Sequence, residues 1–191
     1  MRRLLLLQVV LLLGHLASAQ RYAGPKSLGP FSIQRNTSIF TLSKRLGKPA
    51  HMNSDYFCYQ SEDKIGFLVV TRMAGGTRNA VGEVMLSDFR NCLNRPLQIA
   101  HENLRKWKTR EGIGLGSSKE DVTKAYGKPS SVEDMGTDYR TMILGTPEHS
   151  KMRPEVGTTI LGYTGASDDL SAAFFGIRDG KVAWLSLSYN E

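Results

Sequence analysis

The chain has 191 residues, of which 40% are hydrophobic and 23% charged, with 19 Gly and 7 Pro. That composition is globular and excludes a disordered tail or a low-complexity polymer. Two cysteines exclude a disulfide-dense mini-scaffold and a four-cysteine zinc site, and a formal charge of +7 invites an acidic partner.

The first twenty residues change that charge. Met1-Arg2-Arg3 is a basic start, Leu4 to Leu16 an apolar core, and Ala17-Ser18-Ala19 a small-x-small cleavage site. This pattern predicts a secretory signal peptide over residues 1–19. The apolar core is too short to span roughly 30 Å of hydrocarbon comfortably. No cysteine follows the site, which argues against a lipoprotein anchor. Removing 19 of 191 residues leaves a mature chain of 172 with 23 basic and 18 acidic residues, net +5. The expected location is secreted or periplasmic, with no membrane span after cleavage. In such an oxidising compartment Cys58 and Cys92, 34 residues apart, are expected to form one structural disulfide.

Moving along the chain, an internal repeat is the clearest signal. Thr37 to Pro49 aligns with Ser117 to Pro129, 80 residues later. Ser38, Lys44, Gly47, Lys48 and Pro49 recur as Ser118, Lys124, Gly127, Lys128 and Pro129, and Ile33 falls opposite Ile113. In the second copy Ser118 is a helix N-cap with Asp121 completing a capping box. Val122, Ala125 and Tyr126 form one apolar stripe, Gly127 suits a left-handed end and Pro129 stops the helix. In the first copy Leu42 and Leu46 supply the stripe. Each copy therefore predicts a helix of two to three turns.

Strands are expected at Asp55–Gln60, Ile65–Thr71 and Val84–Phe89 in the first half. Thr158–Tyr163, Leu170–Ile177 and Val182–Ser188 are expected in the second. Asp179-Gly180 between two apolar runs is a type I′ hairpin signal. A regular register from that turn places Ile177 opposite Val182, Phe175 opposite Trp184, and Phe174 opposite Leu185. Residues 144–157 read as a long loop, with Pro147 and Pro154. The implied organisation is a signal peptide (1–19), a first α+β repeat (20–104) and a second (105–191). The expected fold is α+β: two helix-plus-antiparallel-meander repeats forming a curved sheet with helices on one face.

The run Thr109 to Pro129 resembles the helix start of β-lactamase-inhibitor-protein-like modules. It is also similar to the small outer-membrane assembly lipoproteins of the SmpA/OmlA (BamE) group. They share Gly, two small or polar residues, acidic-Val, then aromatic-Gly-x-Pro, followed by a strand meander ending in a Gly-turn hairpin. The match covers about twenty residues and, more loosely, Lys181 to Leu187. It implies a tandem architecture with one curved sheet, and a partner-binding or envelope-assembly role. It carries no inhibitory residue over to this chain.

Candidate chemistry is sparse. Gly112-x-Gly114-x-Gly116-Ser117-Ser118-Lys119 lacks both phosphate-loop spacings and reads as a tight turn before a helix. His51, His101 and His149 have no metal-ligand spacing, so no metal or cofactor is expected. Asp168-Asp169 and Glu133-Asp134 are acidic pairs, but adjacent residues point apart on a strand and commonly sit in turns, whereas a carboxylate-pair hydrolase needs two acids brought together across a cleft. Asn36-Thr37-Ser38 fits a glycosylation acceptor. Arg105, Lys106, Lys108 and Arg110, interleaved with Trp107, form the densest basic patch, read mainly as a solvated inter-repeat segment with Trp107 packed inward. The sheet face carrying Phe175, Trp184, Ile177 and Val182 among Ser171, Ser186 and Ser188 is the candidate binding surface. The expected function is an exported, non-catalytic protein-binding module, inhibitor-like or otherwise. Phe175, Trp184, Ile177, Trp107, Lys106 and Lys108 are its candidate contacts, the partner is an unknown protein and not nucleic acid, and the oligomeric state is open. A cell-envelope assembly factor and a small extracytoplasmic hydrolase are the alternatives.

Overall fold

A computed structural model describes residues 22–32, 37–49, 56–73, 79–89, 97–135, 158–165 and 171–189. A two-residue hairpin comes first, β1 (Ser27–Leu28) with β2 (Phe31–Ser32). Then follow α1 (Ile39–Leu46), β3 (Tyr56–Gln60), β4 (Phe67–Arg72), β5 (Val81–Ser87), β6 (Gln98–Ile99) and a 3-10 turn at Leu104–Lys106. The second half holds α2 (Lys119–Tyr126), β7 (Ser131–Met135), β8 (Thr158–Thr164), β9 (Ser171–Arg178) and β10 (Lys181–Tyr189).

The other eight described strands form one sheet in the order β6-β3-β4-β5-β10-β9-β8-β7. Every pairing is antiparallel except β3 with β6. The two halves of the sequence thus meet along β5·β10, where Val84 lies opposite Leu187 and Ser87 opposite Trp184. A meander of neighbours on each side makes the rest of the sheet local in sequence. Expected strand positions hold, with shifted ends. The largest shift is in the third strand, which runs from Val81 rather than Val84 and so includes Glu83.

Both helices form where their caps dictate. The Ser118 hydroxyl accepts from Asp121 N, and the Asp121 carboxylate accepts from Ser118 N, closing the box. Those hydrogen bonds hold the Asp121 carboxyl below its ordinary range. At α1 the Ser38 hydroxyl accepts from Thr41 N. Both helices end at a glycine with positive φ, Gly47 at 94° and Gly127 at 75°, a backbone region that disfavours a β-carbon. Ala125 is exposed, so Val122 and Tyr126 alone make the buried stripe of α2.

Matching backbone bonds anchor the two helices. Ile39 N donates to Asn79 O at 2.7 Å, and Lys119 N donates to Gly180 O at 3.0 Å. Val81 N donates to Thr37 O at 2.9 Å, and Val182 N donates to Ser117 O at 2.8 Å. A tyrosine then ties each helix end to the sheet. The Tyr59 hydroxyl donates to Gly47 O at 3.2 Å, and the Tyr163 hydroxyl donates to Gly127 O at 3.1 Å. Burial pushes the Tyr59 hydroxyl up to about 12 and raises that of Tyr163, so both remain donors at neutral pH.

Ile39, Leu42 and Leu46 of α1 share one core with Val122 and Tyr126 of α2. The sheet contributes Tyr59, Leu68, Val84, Leu185, Phe175 and Tyr163 to it. Tyr126, Phe175 and Tyr163 meet as an aromatic trio with centroids 5.7–5.9 Å apart. A smaller cluster around Cys58, Val69, Met85, Ile160 and Trp184 occupies the other face.

The Asp179-Gly180 turn is as expected, with positive φ at both residues and Ile177 opposite Val182. Beyond Val182 the register departs. A bulge at Ala183 shifts the pairing by one, so Phe175 lies opposite Leu185, Phe174 opposite Ser186, and Trp184 opposite Gly176. The carbonyl of Ala183 accepts from Asp88 N at 2.9 Å instead of joining the β9 ladder. One extra residue exchanges the faces of everything after it.

Candidate functional site

The bulge corrects the expected binding surface. Phe175 and Ile177 lie under the helices, at 0% and 4% exposure, whereas Trp184 lies on the opposite face at 1%. They neither share a face nor reach the surface, so Phe175, Trp184 and Ile177 do not form an exposed aromatic patch. Trp184 instead crosses above Gly176, where a β-carbon would overlap its indole. Trp107 is also core, at 4% exposure. Of the six candidate contacts, Lys106 and Lys108 are exposed. Cys58 is buried on β3 beside Val69 and Met85, and Cys92 lies outside the described residues. Asn36, His51, His149, the Asp168-Asp169 pair and the loop 144–157 also lie outside them.

Lys106 and Lys108 belong to a built surface. The segment starts at Asn103, whose side chain caps the 3-10 turn by accepting from Arg105 N at 3.0 Å. The buried Ser61 hydroxyl accepts from Leu104 N at 3.1 Å. Trp107 follows in extended conformation, and its indole N–H donates to Glu102 Oε2 at 3.0 Å. The other Glu102 oxygen holds Arg45 Nε at 2.6 Å. The Trp107 ring lies against Gly29, leaving no room there for a β-carbon. Lys108 O accepts from Gly29 N at 3.1 Å, which fastens the β1–β2 hairpin to the row. The Thr109 hydroxyl is buried, bonded to the Tyr126 hydroxyl at 2.5 Å and accepting from Ile113 N at 3.2 Å.

Inward Trp107 and Thr109 alternate with outward Lys106, Lys108 and Arg110. Lys108 sits in a short extended stretch bridged to Gly114, whereas Lys106 closes the 3-10 turn and Arg110 opens the next turn. The ion pairs among the described residues are Arg45–Glu102 and Arg178–Asp88, and neither involves this row. Arg105 faces a different neighbour: its charge helps the Ile65 amide hydrogen bond hold the Asp63 carboxyl below its ordinary range. The acids flanking the row are already engaged, Glu102 as above and Glu111 as acceptor of the Tyr126 hydroxyl at 2.8 Å. Burial raises the Tyr126 hydroxyl, which stays a donor.

A cavity of about 600 Å3 opens at the end of the row. It lies between the β1–β2 hairpin, the first turn of α1 and the turn at Arg110-Glu111. Lys26 and Arg110 bring two cations, Glu111 one anion, and Ser32, Thr37 and Thr41 hydroxyls. Such a lining holds a polar, net anionic group better than an apolar one.

Two further features bear on chemistry. Glu83, on the sheet face away from the helices, has an enclosed carboxyl pushed up to about 7 by burial, although the residue as a whole is only partly buried. The Ser186 hydroxyl donates to it across β5·β10. In the sequence it is a lone acid within the apolar run Ala80 to Leu86, one residue ahead of the strand expected from Val84. The glycine-rich turn is consumed internally. Gly114 N donates to the Ser117 hydroxyl, Gly116 N to Val182 O and Ser117 N to Gly114 O, so these amides are not presented to a phosphate. Among the described residues, no group of three or more His, Cys, Asp or Glu is arranged to hold a metal. Nor, among them, is any helix long and apolar enough to cross a membrane. Compared with known protein families, curated proteins and solved structures, the chain matches none.

Proposed function

We propose that the chain is an exported, non-catalytic binding module that meets its partner through the basic row and cavity rather than through its sheet. The observation that carries this reading is Lys106, Lys108 and Arg110 facing outward from a backbone locked at every second residue. Pre-ordered cations cost little ordering entropy on binding and steer an oppositely charged surface. The two helices, with their matched caps, backbone anchors and tyrosine ties, support descent from one duplicated helix-and-meander unit. Export is proposed from the signal pattern at residues 1–19, and a Cys58–Cys92 bridge from the oxidising compartment that export implies. The hydrolase alternative loses ground because Ser186 is buried and its partner is a protonatable carboxyl rather than an imidazole.

Capture from the native extracellular or periplasmic fraction tests the reading. The mature chain is expected to retain a partner that Lys106→Glu/Lys108→Glu/Arg110→Glu loses, with both proteins melting at the same temperature. Equal capture by both would refute it.

A further inference from the structure

Resting on that binding reading, we infer that the row and the cavity form one cleft for an extended acidic segment of a protein partner. Its alternate carboxylates would meet Lys106, Lys108 and Arg110, and the last would enter the cavity between Arg110 and Lys26. Exposed cations alternate with buried residues along the row, and the carboxylates on one face of an extended peptide likewise fall at every second residue. Salt bridges exposed at the rim are individually weak, so recognition depends on several made in register on a fixed backbone. The bonds from Trp107 to Glu102, from Gly29 to Lys108 and from Thr109 to Tyr126 supply that rigidity.

The same geometry disfavours the other polyanions. Single-stranded nucleic acid gains much of its affinity by stacking bases on aromatic rings, and the aromatic interleaved with these cations is turned into the core. A uniformly anionic glycan or phosphate chain would meet Glu111 on the cavity wall and Asp63 beside Arg105. A peptide can place a serine or glycine opposite those acids.

The test uses the mature full chain and two labelled nonapeptides read by fluorescence anisotropy. One peptide carries four glutamates at alternate positions with serine between them; the other carries the same four contiguously. The alternating peptide is expected to bind about tenfold tighter, and to weaken as salt is raised. Lys106→Glu/Lys108→Glu/Arg110→Glu should lose at least about tenfold in affinity for it. Lys44→Glu/Lys124→Glu/Lys181→Glu changes net charge equally at exposed sites elsewhere and should retain it. Lys26→Gln should weaken the alternating peptide and leave the contiguous one unchanged. Equal affinity for the two peptides would overturn the inference, as would equal losses in both triple variants. So would tighter binding of a heparin-derived oligosaccharide, a single-stranded oligonucleotide or phosphatidylglycerol vesicles. If the first triple variant still abolishes partner capture while the peptides bind alike, the binding reading stands and the peptide inference falls. If capture is unaffected, both fall.

Discussion

Glu83→Gln is the most informative single perturbation of the fold. The carboxyl sits in the middle of an eight-stranded sheet, and burial raises it from 4.5 to about 7. Its neighbours across the ladders are Thr71 on β4 and Ser188 on β10, with the Ser186 hydroxyl as hydrogen-bond donor. The folded state therefore holds the proton more tightly than the unfolded chain does. Stability from this group is fully present below about pH 4.5 and falls as pH rises toward 7, then levels off. A rise from 4.5 to about 7 corresponds to about 3 kcal/mol between the two protonation states. Glutamine keeps the shape and a hydrogen bond with Ser186 but cannot ionise. Urea unfolding of both proteins between pH 4 and 8.5 provides the measurement. The difference in unfolding free energy should be small at pH 4 and reach about 3 kcal/mol in favour of the variant by pH 8. Every other titrating group is common to both proteins and cancels in that difference. A difference that is flat with pH, or that favours the wild type more as pH rises, would refute the burial argument.

Trp107→Ala should cost about 3–5 kcal/mol in denaturant unfolding and raise the protease sensitivity of the β1–β2 hairpin, which rests on that ring at Gly29; a loss below 1 kcal/mol would mean the ring does not anchor the row. Tyr59→Phe and Tyr163→Phe each remove one hydroxyl bond to a helix-ending glycine and should cost about 1 kcal/mol apiece. Their losses should add in the double variant, because they lie in opposite halves of the sheet; strong non-additivity would argue against two independent ties. Gly176→Ala forces a β-carbon into the Trp184 indole and should destabilise by about 1–3 kcal/mol or more, with changed tryptophan emission. An unchanged emission spectrum and thermal midpoint would contradict the observed register.

Much of the architecture was legible because it is local. Ser118 with Asp121, Gly127 and Pro129 announce a helix and its ends within twelve residues, and Asp179-Gly180 fixes a hairpin by backbone conformation alone. What could not be read is the bulge at Ala183, which no residue-type pattern marks and which depends on Asp88, 95 positions earlier, for its hydrogen bond. That displacement turned an apparent aromatic face into two buried halves. β6 and β7 were missed for a related reason: Gln98-Ile99 pairs for two residues, and Ser-Val-Glu-Asp-Met is a polar edge strand with almost no apolar alternation. The row at Lys106 to Arg110 was visible as alternation, and its inward Trp107 was anticipated. The cavity that extends it was not, because it is assembled from the β1–β2 hairpin, the first turn of α1 and the Arg110 turn.

The seam between β5 and β10 also has a consequence in time. Its partners, such as Glu83 and Ser188, are about a hundred residues apart, so it must close after the local meanders, against the entropy of a long loop. Until then each half presents an unpaired, largely apolar strand, the kind of edge on which chains join one another. An ionised Glu83 in the middle of one such edge deters that wrong pairing, because burying the charge against another chain is costly. The acid that weakens the finished sheet at neutral pH thus guards the unfinished one. Refolding at pH 8 should therefore scatter more light for Glu83→Gln than for the wild type, despite the greater stability of the variant once folded; equal scattering at matched concentration would show that the edge needs no such guard.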